Sequence, residues 1–180
     1  MSAKKIVITG GPGTGKSTVI NELIKRNYTC MKEISRQVTL KAQKEGISQL
    51  FLKQPLLFSE LLLKGRQQQF LESKQLDTAF VFFDRAIPDV LAYMDYIGDT
   101  YPDDFVKVSK MIVYDQVFIF KPWETIYKSD NERYETFDQA KQIHKCLLNT
   151  YKTYNYTPID VPFGTVEERT DFILNTLSID

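Results

Sequence analysis

Eight consecutive residues, Gly10-Gly11-Pro12-Gly13-Thr14-Gly15-Lys16-Ser17, satisfy the pattern G-x-x-x-x-G-K-[ST]. Their types suit one task, which is to hold the phosphates of a nucleoside triphosphate together with Mg²⁺. Glycines allow positive φ and close backbone approach, so successive N–H groups converge on phosphate oxygens. A helix N-terminus behind them adds about half a positive charge. Lys16 supplies a full cation to the outer phosphates, and the Ser17 hydroxyl is a hard oxygen ligand for Mg²⁺. Thr18 completes the nucleotide-binding run. The motif specifies a nucleotide and a metal, not a reaction.

A triphosphate site also needs a carboxylate at the end of a neighbouring parallel strand. Asp84 closes the apolar run Phe80-Val81-Phe82-Phe83, and Asp115 follows Met111-Ile112-Val113-Tyr114. Asp84 is preferred, because the next strand begins at Val117 and leaves no crossover after Asp115. Arg85 and Asp89 follow Asp84 at the same strand end, where ligands of doubly wound sheets bind; Arg85 either serves substrate or merely neutralises Asp84. Glu33 and Arg36 follow the second expected strand. Glu33 has the chemistry to take a proton from an acceptor hydroxyl or hold a metal-bound water, and Arg36 to hold an anionic substrate. An i,i+3 ion pair on a solvated helix start explains the two equally well. Arg133 is the candidate mobile cation over the phosphates, with Lys128 second and a solvated charge cluster as the alternative. Pro162 and Phe163, before Gly164 and Thr165, are placed to frame the nucleotide base. His144, the single histidine, reads as a boundary residue of a helix.

These residues need elements to carry them. The β-branched run 6–9 reads as a buried strand ending at the glycines, and Val19, Ile20, Leu23 and Ile24 repeat at helical spacing after them. Further strands are expected over 28–32, 79–83, 117–120 and 158–161. Helices are expected over 35–45, 55–75, from Pro88 to Gly98, and over 103–110. Two capping boxes, Thr136-Phe137-Asp138-Gln139 and Thr165-Val166-Glu167-Glu168, open the last two helices. Residues 121–136 change character, with Pro122, Trp123, Tyr127, Tyr134 and a polar cluster, and read as an excursion over the surface. Strands alternating with helices imply right-handed βαβ units, a parallel sheet and helices on both faces.

The whole chain has 180 residues, 23 Lys+Arg and 23 Asp+Glu, with 43% hydrophobic residues. One domain with its own core is expected. Zero net charge and no dense basic run argue against nucleic acid and an anionic membrane surface as partners. Cys30 and Cys146 fit neither a disulfide framework nor a zinc spacing, so a reducing cytoplasm is expected. Only Ile6, Val7 and Ile8 follow the polar opening, so no secretory leader is expected, and no stretch reaches the ~20 apolar residues of a membrane span.

With these parts placed, the chain resembles the nucleotide- and nucleoside-kinase branch of the P-loop NTPases. More narrowly it resembles short bacterial predicted ATPases, with an AAA-type domain, related to ribosylnicotinamide kinase. The likeness rests on residues 6–17, Glu33-Ile34-Ser35-Arg36, Phe83-Asp84-Arg85, 130–133 and Val161-Pro162. It implies a three-layer α/β/α fold, a five-stranded parallel sheet in order 2-3-1-4-5, a helical acceptor lobe over about 40–75, and an arginine-bearing lid over about 121–136 that covers ATP. No Asn-Lys-x-Asp guanine-reading element occurs, and there is no room for the helical subdomain of ring-forming AAA+ machines. The expected activity is Mg²⁺-dependent transfer of the γ-phosphate of ATP to a small molecule: a nucleoside, a nucleotide or a cofactor precursor. The alternative is an NTP-gated module acting on a protein partner. The state expected is monomer or homodimer.

Overall fold

A computed structural model describes residues 3–47, 49–127 and 135–178. Strand β1 (Lys4–Gly10) is central, flanked by β3 (Phe80–Asp84) and β4 (Gln116–Phe120), with β2 (Thr29–Met31) and β5 (Ile159–Val161) outside them. The order is β2-β3-β1-β4-β5 and every pairing is parallel, as the resemblance implies. Register places Ile8 beside both Asp84 and Phe118. The phosphate loop, Asp84 and the end of β4 therefore share the carboxyl edge of the sheet.

Because side chains alternate along a strand, the central strands feed two separate cores. Val7, Val81, Phe83, Val117 and Ile119 point to one face. There they meet helices α4 (Pro55–Ser73), α5 (Ile87–Ile97) and α7 (Phe137–Thr153), through Phe70, Ala92, Ile143, Leu147 and Tyr151. Ile6, Ile8, Phe82, Phe118 and Phe120 point the other way, onto α1 (Lys16–Lys25) and α8 (Val166–Thr176). This alternation explains why the strands read as unbroken apolar runs: both faces are buried.

A third cluster lies beyond the sheet edge, where α2 (Ile34–Lys44), α4, α5 and α6 (Asp103–Met111) meet around Ile34, Leu62, Leu63, Val90, Leu91 and Phe105. Pro55 opens α4 at its first turn, where a missing N–H costs nothing. Leucines surround that helix, so it buries one side against α5 while Leu57, Leu61 and Leu71 remain exposed. The short helix α3 (Leu50–Lys53) precedes α4 and has no signature in the sequence, since four residues are too few for a periodic signal. The expected capping boxes at Thr136 and Thr165 both form. Cys30 and Cys146 are free thiols. Among the described residues no helix is long and apolar enough to cross a membrane.

Candidate active site

The phosphate loop turns sharply between β1 and α1. Gly15 takes the position before the helix with φ 83°, and a Cβ there would stand 2.7 Å from a guanidinium nitrogen of Arg169. Gly13 has φ 68°, and a Cβ on it would stand 2.6 Å from the ring of Tyr127. At both positions the left-handed backbone would strain any side chain. Lys16 is buried, and its Nζ donates to the Gly11 carbonyl at 2.8 Å and to Thr14 Oγ1 at 3.4 Å. Burial, then the charge of Arg85, pulls its pKa down to about 7, against the opposing pull of Asp84, Glu33 and Asp89. The Lys16 side chain is folded onto its own loop. Ser17 and Thr18 are exposed in the first turn of α1, where Thr18 Oγ1 donates to the Gly15 carbonyl at 2.7 Å.

Asp84 is the last residue of β3 and is largely buried. Desolvation raises its pKa, although Lys16 and Arg85 act against that. Asp115 lies at the other end of the sheet, where its carboxylate accepts from the Lys5 N–H at 2.7 Å. Residues 112–115 form the connection into β4 rather than a strand, so Asp115 has no access to the phosphate loop. Arg85 adopts φ 69°, which turns its side chain back over the sheet edge. Its guanidinium donates to the Gly10 carbonyl at 3.0 Å and to Asp89 Oδ1 at 3.3 Å. Asp89 also accepts from Thr9 Oγ1 and the Tyr151 hydroxyl, both at 2.5 Å, and from the Ala86 N–H at 2.9 Å. Burial opposes its charge, but Arg85, Arg66 and those hydroxyls outweigh it and lower its pKa. Asp89 thus ties β1, α5 and α7 to the arginine at the strand end.

Glu33 stands at the start of α2, half-buried, and accepts from Ser35 Oγ at 2.5 Å. Burial works to raise its pKa, yet Ser35, Arg85, Lys16 and Arg66 together hold it below the ordinary value. A cavity of ≈ 260 Å³ joins Glu33 to Pro12 of the phosphate loop and to Arg66, Arg85, Tyr93 and Glu135. Arg36 does not line it and is exposed on α2. Arg66, from α4, is only 2% exposed and donates to the Asp84 carbonyl at 3.2 Å, while its Nε has no partner among the described residues. Sequence reasoning missed Arg66 and Arg169. Neither belongs to a short motif, and both arrive from helices distant in the chain.

Pro162 and Phe163 follow β5 at the same sheet edge. Phe163 stacks on Trp123, with ring centroids 4.9 Å apart and planes at 25°. The Arg169 guanidinium lies 5.8 Å from the Trp123 ring and 5.5 Å from that of Phe120, and donates to the Thr14 carbonyl at 3.0 Å. Burial alone lowers its pKa. Arg133 and Lys128 lie outside the described residues, as does most of the polar cluster around them. The described ends of that segment meet: the Tyr127 hydroxyl donates to the Glu135 carbonyl, and the Tyr93 hydroxyl to Glu135 Oε1 at 2.6 Å.

Sheet order, phosphate loop and strand-end carboxylate define a P-loop protein of kinase-like topology. The chain belongs to a family of AAA domains, whose model matches residues 5–169. Among solved structures, deoxyadenosine kinase from M. mycoides with dCMP and dCDP superposes with a TM-score of 0.70 at 19% identity, covering 97% of this chain and 98% of that one. Thymidylate kinase from Candida albicans gives 0.67 at 16% identity, covering 98% and 92%. NadR in complex with NAD and AMP-PNP gives 0.71 at 15% identity, covering 99% of this chain and 51% of NadR. A search of curated proteins gives no match.

Proposed function

We propose that this protein is a kinase that transfers the γ-phosphate of ATP to a small molecule. One observation carries the reading: a cavity opens directly from the phosphate loop at Pro12 and is lined by Glu33 and Arg85, so donor and acceptor would share one crevice. The kinase-like topology supports it. The loop N–H groups and Lys16 bind and orient the phosphates, and Arg85, fixed by Asp89 and the Gly10 carbonyl, supplies charge where it develops during transfer. Trp123 and Phe163 offer a flat apolar surface for the base. The segment 121–136 serves as lid and 40–75 as acceptor lobe.

The donors at the phosphate end fit Mg²⁺. Ser17 and Asp84 are hard oxygen ligands, and Mg²⁺ characteristically takes one or two carboxylates plus substrate phosphates rather than an all-protein cage. When bound, Mg²⁺ would neutralise charge on the transferring phosphates. Lys16→Ala removes the charge-assisted phosphate contact. MgATP binding measured by calorimetry should fall sharply in that variant, and acceptor-dependent ADP release should vanish. Unchanged binding and turnover in Lys16→Ala would overturn the proposal. ADP release that no acceptor increases but a protein partner alters would favour the NTP-gated module instead.

A further inference from the structure

We infer that the phosphate acceptor is an uncharged alcohol bearing a flat apolar group, of nucleoside size, rather than a molecule that already carries a phosphate; this rests on the kinase reading above. Among the described residues, the cavity beside the phosphate loop is lined by three carboxylates, Glu33, Asp89 and Glu135, against two guanidinium groups, Arg66 and Arg85. Neither cation is spare for a second phosphate. Arg85, held through Nη1 by Asp89 and the Gly10 carbonyl, serves the phosphoryl group in transfer. Arg66 lies in the field of Asp84, Glu33 and Asp89 at once, and the Nε that lacks a partner is itself sealed in. A phosphomonoester, with a charge of about −1.5 to −2 at neutral pH, would have to settle among carboxylates next to the terminal phosphate of ATP.

An alcohol presents the opposite requirement. Its hydroxyl must give up a proton as the new P–O bond forms, whereas a phosphate oxygen is ionised already and needs no base. Glu33 meets that requirement. It lines the crevice, takes only one side-chain hydrogen bond among the described residues, from Ser35, and that bond together with the surrounding cations outweighs burial and holds its pKa below the ordinary value. In the transfer, the bond between the γ-phosphorus and the β,γ-bridging oxygen breaks to release ADP. The alcohol oxygen takes the phosphoryl group, and its proton passes to the Glu33 carboxylate. The products are ADP and a phosphomonoester.

The far end of the cavity says what the alcohol is attached to. Phe51, Phe58, Leu62 and Val90 form its apolar wall, and a second hollow of ≈ 180 Å³ adjoins it, sharing Phe51, Phe58, Tyr93 and Glu135. Together these spaces fall in the range of small-molecule pockets, about 300–1,000 Å³. Glu135, at the junction and already oriented by the Tyr93 hydroxyl, would accept a hydrogen bond from an N–H on the flat group.

The test uses the full chain with MgATP and matched pairs of nucleosides and their 5′-monophosphates. ADP release gives rates, and ³¹P NMR identifies whether the product is a phosphomonoester or a phosphoanhydride. Transfer to the nucleosides should exceed transfer to the monophosphates by about 100-fold or more in kcat/KM. Glu33→Gln should lower kcat for the nucleoside by about 100-fold or more, the usual scale for a positioned base, with a much smaller change in KM. Preference for the monophosphates, or a Glu33→Gln variant that keeps the wild-type kcat for the nucleoside, would overturn the inference. So would transfer to neither series while MgATP still binds, an outcome that leaves nucleotide binding standing. Failure of the wild-type chain to bind MgATP would fall on the functional proposal itself.

Discussion

Lys16 enters the nucleotide-free site half-discharged, and that makes phosphate binding a proton-linked event. Burial and Arg85 hold its pKa at about 7. A triphosphate against the ammonium favours the charged form, so binding must raise that pKa. At pH 8 a group with a pKa of about 7 is about one-tenth protonated, and binding should therefore take up about 0.9 proton per nucleotide. Above pH 7 the affinity should weaken by up to about tenfold, or about 1.4 kcal/mol, for each pH unit until the pKa of the bound state is reached. The terminal phosphate of the nucleotide, with a pKa of about 6, is already ionised at pH 8 and adds little. Titrating MgATP into the protein by calorimetry in two buffers of different ionisation enthalpy measures the uptake directly. It should fall through zero on the way to pH 6, where Lys16 is already charged and the terminal phosphate itself gives up a proton, and should be lost at pH 8 in any Lys16→Met titration that retains measurable binding. Stability should show the same linkage: the folded pKa lies below the unfolded value of 10.5, so the unfolded chain binds more protons between about 7 and 10.5 and stability rises with pH through that window. Buffer-independent heats at pH 8 would refute the reasoning, because they would mean that Lys16 is charged before the nucleotide arrives.

Three further outcomes follow from contacts around the loop. Asp89→Asn leaves the partly buried Arg85 without its carboxylate and weakens the buried bonds from Thr9 and Tyr151, which should cost about 3 kcal/mol in urea unfolding, the scale for breaking a buried charge pair from one side. Gly15→Ala forces a methyl to 2.7 Å from the Arg169 guanidinium at a φ of 83°; MgATP affinity should drop at least tenfold in a titration, with the thermal midpoint lowered. Trp123 is the sole tryptophan and stacks on Phe163, so its fluorescence should change on adding MgATP, and Phe163→Ala should weaken that response and raise the nucleotide concentration needed.

How much of the site is legible in the sequence depends on the range of the forces involved. The phosphate loop is a local pattern with strand and helix flanks, so its place follows from adjacent residues. Asp84 can be chosen over Asp115 because one ends a strand that has a crossover after it and the other does not, and the Lys5–Asp115 contact puts the latter at the opposite sheet edge. Glu33 and Arg36 look like equals three residues apart, yet helix α2 turns Glu33 into the cavity and leaves Arg36 in solvent. Asp89 is visible only as one more carboxylate; its ties to Thr9 and Tyr151 span separations of 80 and 62 residues. Arg66 and Arg169 are illegible for the same reason. Each sits on a helix whose other residues follow ordinary packing, and only the fold brings their guanidinium groups to Asp84 and to the Thr14 carbonyl.

The central claim is phosphoryl transfer to a small molecule, and following the γ-phosphate tests it most directly. ATP labelled at that position, incubated with the protein, Mg²⁺ and a nucleoside mixture, should pass its label to an organic phosphomonoester, in step with ADP formation, and Lys16→Ala should abolish the transfer. Label recovered only as inorganic phosphate, at a rate that no nucleoside or other small acceptor changes, would contradict it.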